Sequence, residues 1–411
     1  MLATRKPLPR QTEITPGQRR IILLLVALGG FGIGITEFVS MGLLPLIAAD
    51  FGVTEDVAGH VITTYALGVT VGAPLITVFT GKLPRRRLII LLMVAFTVGN
   101  ALTLVAWDLP SLLVARFIAG FPHGAYFSVS TLCAVSITPK GQRGRVVALT
   151  SLGFSAATLG GVPVVQWLGQ VTHWSVAYAV VAAVGLVAFT GFYVFMPHMT
   201  EMPATSPLTE LSALKNVQVL LTVLIAMVGF GGMFSVYTYI GWTMTDPARA
   251  AMPPEFLPLV LMAYGFGGVA GNMLGGWISD RNIDWGLIIV LGCIALALAG
   301  FFFASANPWI GTVVFFIIGT FGTALVPLLQ IRLMDVAGEA QTLAAALNQS
   351  ALNLANAGGA TIGGAVIAAG FPYHYTALAG ATLATLGMVV WAPMMLTRPG
   401  RKRRVVIKSQ S

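Results

Sequence analysis

The chain has 411 residues, of which 56% are hydrophobic and only 9% carry a formal charge. Soluble domains carry about 25% charged residues, so this composition excludes an ordinary water-soluble fold. Lys and Arg outnumber Asp and Glu by 23 to 14. These basic residues are scattered between apolar runs and form no binding module, which excludes nucleic-acid recognition as their purpose.

In chain order, the tail before residue 20 is polar and basic. The first apolar run is about 28 residues long with no small-residue cleavage signal, so it reads as a retained span and not a signal peptide. Crossing ~30 Å of hydrocarbon as a helix takes ~20 apolar residues. Twelve such windows follow one another: 21–48, 57–79, 88–107, 111–135, 146–169, 175–196, 217–245, 256–278, 285–304, 309–331, 342–368 and 375–396. The runs are continuously apolar and do not alternate, which argues against a membrane β-barrel. Residues 197–215 break the pattern with Pro197, Pro203, Pro207, Glu201 and Glu210. The expected fold is thus an all-α polytopic membrane protein. It has an N-terminal six-helix bundle (1–200), a linker (201–215) and a C-terminal six-helix bundle with a basic tail (216–411).

Of the 23 basic residues, 21 fall on one side of this topology, in the two tails, the linker and alternate loops. By the positive-inside rule both termini are cytoplasmic, in a plasma (inner) membrane. Cys133 and Cys293 both fall within spans and imply neither a disulfide framework nor a metal site. The five histidines (His60, His123, His173, His198, His374) lack the spacing of a metal or catalytic cluster. No enzyme activity and no cofactor follow from them.

Two charged side chains sit well inside predicted spans. Glu37 is roughly 16 Å deep in the first, and Arg116 roughly 8 Å deep in the fourth, at 1.5 Å per residue. Each costs at least ~2.5–3.5 kcal/mol near the bilayer centre, so each needs a reason. A carboxylate keeps a proton in an apolar setting and releases it near a cation or an opened aqueous path. That makes Glu37 a proton-coupling candidate. The competing reading is a permanent Glu37–Arg116 pair that holds helices together. His123 lies seven residues after Arg116, on nearly the same helix face, and histidine suits proton exchange. Pro122 is expected to bend this span, and Tyr126 adds aromatic surface beside it.

The second half carries no mid-span charge of either sign on this reading; its polarity is amide and hydroxyl. Gln349, Asn353 and Asn356 fall at i, i+4 and i+7, one helix face. They are substrate-binding candidates, against the plainer reading of interhelical hydrogen bonds worth ~0.6 kcal/mol each. Tyr237, Tyr239, Trp242, Tyr264, Asn272 and Gln330 are further candidate cavity residues. Gly68 and Gly72, Gly267 and Gly271, Gly271 and Gly275, and Gly359 and Gly363 are small-xxx-small pairs that let helices approach closely.

The halves repeat one another at a single offset of 199 residues. Ala27, Gly30, Phe31 and Gly32 recur as Ala226, Gly229, Phe230 and Gly231; Tyr65, Gly68 and Gly72 recur as Tyr264, Gly267 and Gly271. Duplicated halves are characteristic of secondary transporters, whose substrate site lies between them at mid-membrane.

Several segments carry a family likeness along the whole chain: Gly32–Phe38 followed by Met41–Pro45, Tyr65–Gly68 with Gly72–Pro74, Arg116–Ala125, and Pro327–Gln330. The chain resembles the major facilitator superfamily, in particular its drug:proton antiporter branch, which includes sugar- and chloramphenicol-efflux permeases. The resemblance implies efflux of a small organic solute against inward proton flow, by a monomer, with Arg116 in proton coupling. Channel and membrane-enzyme readings find no supporting motif; a uniporter or importer of the same fold stays open. The family's loop motif Gly-x-x-x-Asp-Arg implies inner-gate residues at Arg85, Arg86, Asp280 and Arg281. Gly81 to Arg87 lacks the aspartate that Gly276 to Arg281 keeps. The family's span-5 pattern of adjacent Gly-Pro appears only loosely, as Gly160, Gly161, Val162 and Pro163.

Overall fold

A computed structural model describes residues 14–80, 83–138, 152–199, 215–279, 281–337 and 341–396. Eleven helices among the described residues are long and apolar enough to cross a membrane. They are α1 (Pro16–Phe51), α2 (His60–Phe79), α3 (Arg85–Leu104), α4 (Leu109–Ser136), α6 (Trp174–Phe195), α7 (Val217–Thr245), α8 (Leu257–Ser279), α9 (Ile283–Ala304), α10 (Pro308–Val336), α11 (Gln341–Ala368) and α12 (Thr376–Leu396). The twelfth pass, α5, covers residues 152–171 and runs through a π-turn at Ala157–Gly161 into Val162–Val171. Twelve passes are therefore present, with α1–α6 in one bundle and α7–α12 in the other.

Local chemistry sets the helix ends. Thr15 accepts from the Gln18 amide and Pro16 opens α1, which stops at Gly52 in the left-handed region (φ 63°). Asp108 and Ser111 form a reciprocal capping box at the start of α4. The Ser111 hydrogen bonds hold the fully exposed Asp108 carboxyl below its usual range. Asn282 and Asn307 cap α9 and α10 with their side-chain oxygens. Pro122 has no amide to give the helix, and α4 breaks at Phe121–Pro122, as expected.

Two boundaries differ from the sequence reading in ways that matter. α3 starts at Arg85, so Arg85, Arg86 and Arg87 form its first turn and not a loop. α10 continues to Val336, which places Arg332 inside a helix. Arg332 is buried and donates to Asp284 Oδ1 at 2.7 Å and to Gln218 Oε1 at 2.6 Å. The second half does hold a buried ion pair, close to the face where the chain termini emerge. Hydropathy alone ended the span one residue before its charge.

The glycine pairs do what their spacing predicted. A methyl group on Gly68 or Gly72 would strike the Phe117 or Phe121 carbonyl of α4. In the second bundle, a methyl on Gly267 or Gly271 would strike the Phe316 or Thr320 carbonyl of α10. The repeat is thus one packing solution used twice. Gly72→Ala and Gly271→Ala are each expected to cost about 1–3 kcal/mol by overpacking. Gly276→Ala, with nothing within 4 Å of its added methyl, is expected to leave the unfolding temperature unchanged; thermal unfolding in detergent compares the three.

The described contacts between bundles run from mid-depth to the face opposite the termini. Thr70 Oγ1 donates to the Ser350 carbonyl and Ser350 Oγ to the Thr70 carbonyl, at 3.3 and 3.1 Å. Farther out, Tyr239 fits against Gly59, Gln170 Nε2 donates to the Pro254 carbonyl at 3.1 Å, and Tyr373 donates to Glu55 at 3.1 Å. The π-turn of α5 lies against Gly265 of α8.

Candidate functional site

Glu37 lies midway along α1 and is 7% exposed. Its Oε2 has no hydrogen-bond partner among the described residues. The nearest cationic-capable atom is His123 Nε2 at 3.9 Å. The other ring nitrogen of His123, Nδ1, is 3.1 Å from the Tyr65 hydroxyl. All three side chains are buried.

Arg116 is fully buried, and it does not pair with Glu37: no oxygen of Glu37 lies within 4.0 Å of the guanidinium. Its Nη1 donates to Thr36 Oγ1 at 2.9 Å and its Nη2 to the Thr36 carbonyl at 3.0 Å. Thr36 Oγ1 passes its own proton to Asn100 Oδ1 at 2.6 Å. The guanidinium carbon sits 4.2 Å from the Tyr65 ring centroid and 5.4 Å from that of Tyr178. Desolvated cation–π contacts of this kind are worth about 2 kcal/mol. Tyr178 is itself anchored, 2.6 Å from Ser40. The cation is held by oxygens and rings of its own bundle, beside the carboxylate and not on it.

The equivalent positions in the second bundle carry aromatic and aliphatic side chains and no charge. The 199-residue offset relates Glu37, Phe38, Tyr65 and Arg116 to Val236, Tyr237, Tyr264 and Phe315. Tyr264 and Phe315 stand 5.2 Å apart, centroid to centroid, where Tyr65 and Arg116 make their cation–π contact. Tyr237 lies 4.3 Å from Tyr264 and stacks on Phe38 of the first bundle at 5.5 Å. Phe38, Phe154 and Phe127 continue the aromatic row to His123. An aromatic seam therefore joins the bundles next to the buried carboxylate.

The α11 helix turns one face toward the first bundle. Gln349 lies next to Gly124 of α4, and Ser350 bonds to α2. Asn353 Nδ2 donates to the Gln349 carbonyl at 3.0 Å, and Asn348 Nδ2 to Gln330 at 2.6 Å. Asn353 Oδ1, Asn348 Oδ1 and both polar atoms of Asn356 are buried without partners among the described residues. Buried amides left unpaired cost free energy, so these atoms call for a partner such as water or solute.

The remaining candidates are spread more widely. Tyr126 donates to the Val26 carbonyl inside the first bundle at 2.9 Å, so its hydroxyl serves helix packing. Tyr239 donates to the Ala360 carbonyl at 2.9 Å and, with Trp242, belongs to the closed seam at the far face. Asn272 is exposed, two turns from Gly265 on the same side of α8. Arg86 donates to the Tyr193 carbonyl of α6 and to that of Met196 just after it, both at 2.8 Å, and Arg281 stacks on Trp277 at 3.5 Å. These contacts stay within one bundle; Arg85 is half-buried in the first turn of α3. Asp280 and most of the linker lie outside the described residues. Thr36, Asn100, Tyr65, Tyr178 and Phe38 are site residues that the polar-in-span criterion passed over. Tyr65 did carry a signal, since it recurs in the repeat as Tyr264.

Two repeated helical bundles meeting over buried, partly unpartnered polar groups define a multi-pass membrane transporter and not an enzyme. The model of the Major Facilitator Superfamily matches residues 26–359 and 248–410, and the chain belongs to that family. It is 37% identical over 371 residues to the Inner membrane transport protein YdhP of Escherichia coli (strain K12), covering 90% of this chain and 94% of that one. It is 31% identical to the Putative transporter AraJ of the same strain (89% and 93% covered). It is 27% identical to a Probable sugar efflux transporter of Pasteurella multocida (strain Pm70), with 90% and 91% covered. A crystal structure of a point mutant of a peptide transporter POT, in complex with alafosfalin, superimposes with a TM-score of 0.69 at 10% identity, covering 91% of this chain and 93% of that one. At that identity the likeness speaks for the fold alone.

Proposed function

We propose that this protein is a monomeric proton-coupled antiporter of the plasma (inner) membrane, both termini cytoplasmic, that exports a small organic solute by alternating access. The observation that carries the reading is Glu37, whose buried Oε2 has no hydrogen-bond partner among the described residues and lies 3.9 Å from His123, at the seam on which the bundles must rock. Glu37 takes up a proton when the site opens outward and releases it when the site opens inward, as solute is captured. Arg116 and His123 set the polarity around it. The unpartnered amides of Asn353 and Asn356, with Gln349, Tyr237, Tyr264, Gln330 and Asn272, orient the solute. Arg85, Arg86 and Arg281, with Asp280 as the family motif implies, gate the end that opens to the cytoplasm. Sugars, nucleosides and uncharged drugs suit such an amide and aromatic lining, and the sugar efflux named for the Pasteurella relative supports the first of these.

The test has two stages. A thermal-shift screen of purified protein against sugars, nucleosides and antibiotics finds the solute; at a concentration of 100 Kd it is expected to stabilise the fold by about 2.7 kcal/mol. Proteoliposomes carrying a pH-sensitive dye are then given that solute. Solute-dependent proton movement in the opposite direction is expected; transport with no proton movement selects a proton-independent uniporter or importer of the same fold.

A further inference from the structure

Tyr65 has no assigned part in the cycle, yet it links Arg116 to the histidine that faces Glu37. Its ring lies under Arg116 at 4.2 Å, and its hydroxyl is 3.1 Å from His123 Nδ1. Two proton arrangements satisfy that contact. Either Tyr65 donates and the imidazole carries its hydrogen on Nε2, or the imidazole donates from Nδ1 and Nε2 is bare.

Three observations select the first. The Tyr65 hydroxyl has no other partner among the described residues, and the side chain is 1% exposed; if it accepted from Nδ1–H, its own O–H would be buried unpaired, at a cost of about 1–3 kcal/mol. With Glu37 ionised, a bare Nε2 would also set a lone pair toward its Oε2 at 3.9 Å, whereas Nε2–H sets a donor toward it. Finally, the guanidinium over the ring draws electron density from the phenol and makes its O–H the stronger donor.

We propose that Tyr65 is a positioning residue that fixes the tautomer of His123, so that this histidine turns an N–H, and not a lone pair, toward Glu37. His123 is then unable to accept the proton that Glu37 carries, and the proton leaves Glu37 only when the bundles open a water path. The neighbours of His123 agree with this. Among the described residues, Glu37 from α1 and Tyr65 from α2 are the titratable groups in contact with the ring, and Arg116 acts through Tyr65. α5 offers Phe154 by way of Phe127, and α11 offers the uncharged Gln349 beside Gly124.

The proposal deepens the antiport reading, but its test requires neither a known solute nor transport. Full-length protein with ¹⁵N-labelled histidine is placed in lipid nanodiscs, and the His123 signals are identified by their loss in His123→Gln. In the wild type the spectrum is expected to show protonated Nε2 and unprotonated Nδ1, unchanged between about pH 5 and 8, where an unconstrained histidine changes charge. In Tyr65→Phe, which keeps the ring and removes only the hydroxyl, the Nδ1–H form is expected to rise at least tenfold as the pH falls and Glu37 becomes able to donate to Nε2. A wild-type signal from Nδ1–H or from the doubly protonated ring overturns the proposal without recourse to any variant. So does a tautomer in Tyr65→Phe that is as insensitive to pH as the wild type.

Discussion

Glu37→Gln is expected to abolish uphill export and to spare the exchange of labelled for unlabelled solute across the same vesicles. The substitution keeps the size and hydrogen-bonding of the side chain but removes its titration. An inward-moving charge is worth ~2.3 kcal/mol per 100 mV. With one proton per neutral solute, that sustains an outward gradient of about fiftyfold, since about 1.36 kcal/mol is a factor of ten. The variant should settle at a ratio of about one. Exchange survives because a solute-loaded carrier still rocks between its two faces without needing proton release. Steady-state accumulation ratios at a clamped potential measure the first quantity, and tracer exchange the second. An unaltered accumulation ratio would remove Glu37 from the coupling mechanism.

The second large effect concerns Arg116, and its direction is not the one chemical similarity suggests. Arg116→Lys is expected to destabilise the protein by about 3 kcal/mol, and Arg116→Met by less than about 1 kcal/mol. Lysine keeps a buried charge but cannot make the forked contact to the hydroxyl and carbonyl of Thr36 while also lying flat between Tyr65 and Tyr178. A hydrogen bond to a charged group contributes about 1.5–3 kcal/mol. Methionine removes the charge together with its desolvation cost. It strands no acceptor either: Thr36 Oγ1 still donates to Asn100, and the Thr36 carbonyl still accepts from Ser40. Thermal unfolding of the three proteins in one detergent gives the order. Both variants are expected to lose transport, because neither keeps the guanidinium over Tyr65. A methionine variant less stable than the lysine one would show that charge, and not fork geometry, is what the bundle requires.

The two predictions share a physical basis. Placing a cation fully inside an apolar bundle is expensive unless it is surrounded by oxygens and ring faces. Here that surrounding comes from Thr36, Tyr65 and Tyr178, which leaves the neighbouring carboxylate unneutralised. In the proposed cycle a direct Glu37–Arg116 pair would keep the carboxylate from taking up a proton, so coupling in that cycle depends on the separation of the two charges.

Composition and hydropathy determined the membrane class and the twelve passes, because a helix crossing hydrocarbon must be apolar over its full length whatever it packs against. The 199-residue repeat determined the two-bundle plan and the glycine contacts, because the same glycine spacing on corresponding helices allows the same close approach. Helical periodicity also put Arg116 and His123 on one face, and Gln349, Asn353 and Asn356 on another. Only the tertiary structure decided which atoms meet. That Arg116 binds Thr36 and not Glu37, that Tyr65 joins Arg116 to His123, and that Arg332 pairs with Asp284 all depend on how helices distant in sequence are rotated and set in depth against one another. A single helix carries information about its own faces and its own length; the register between two helices belongs to the pair.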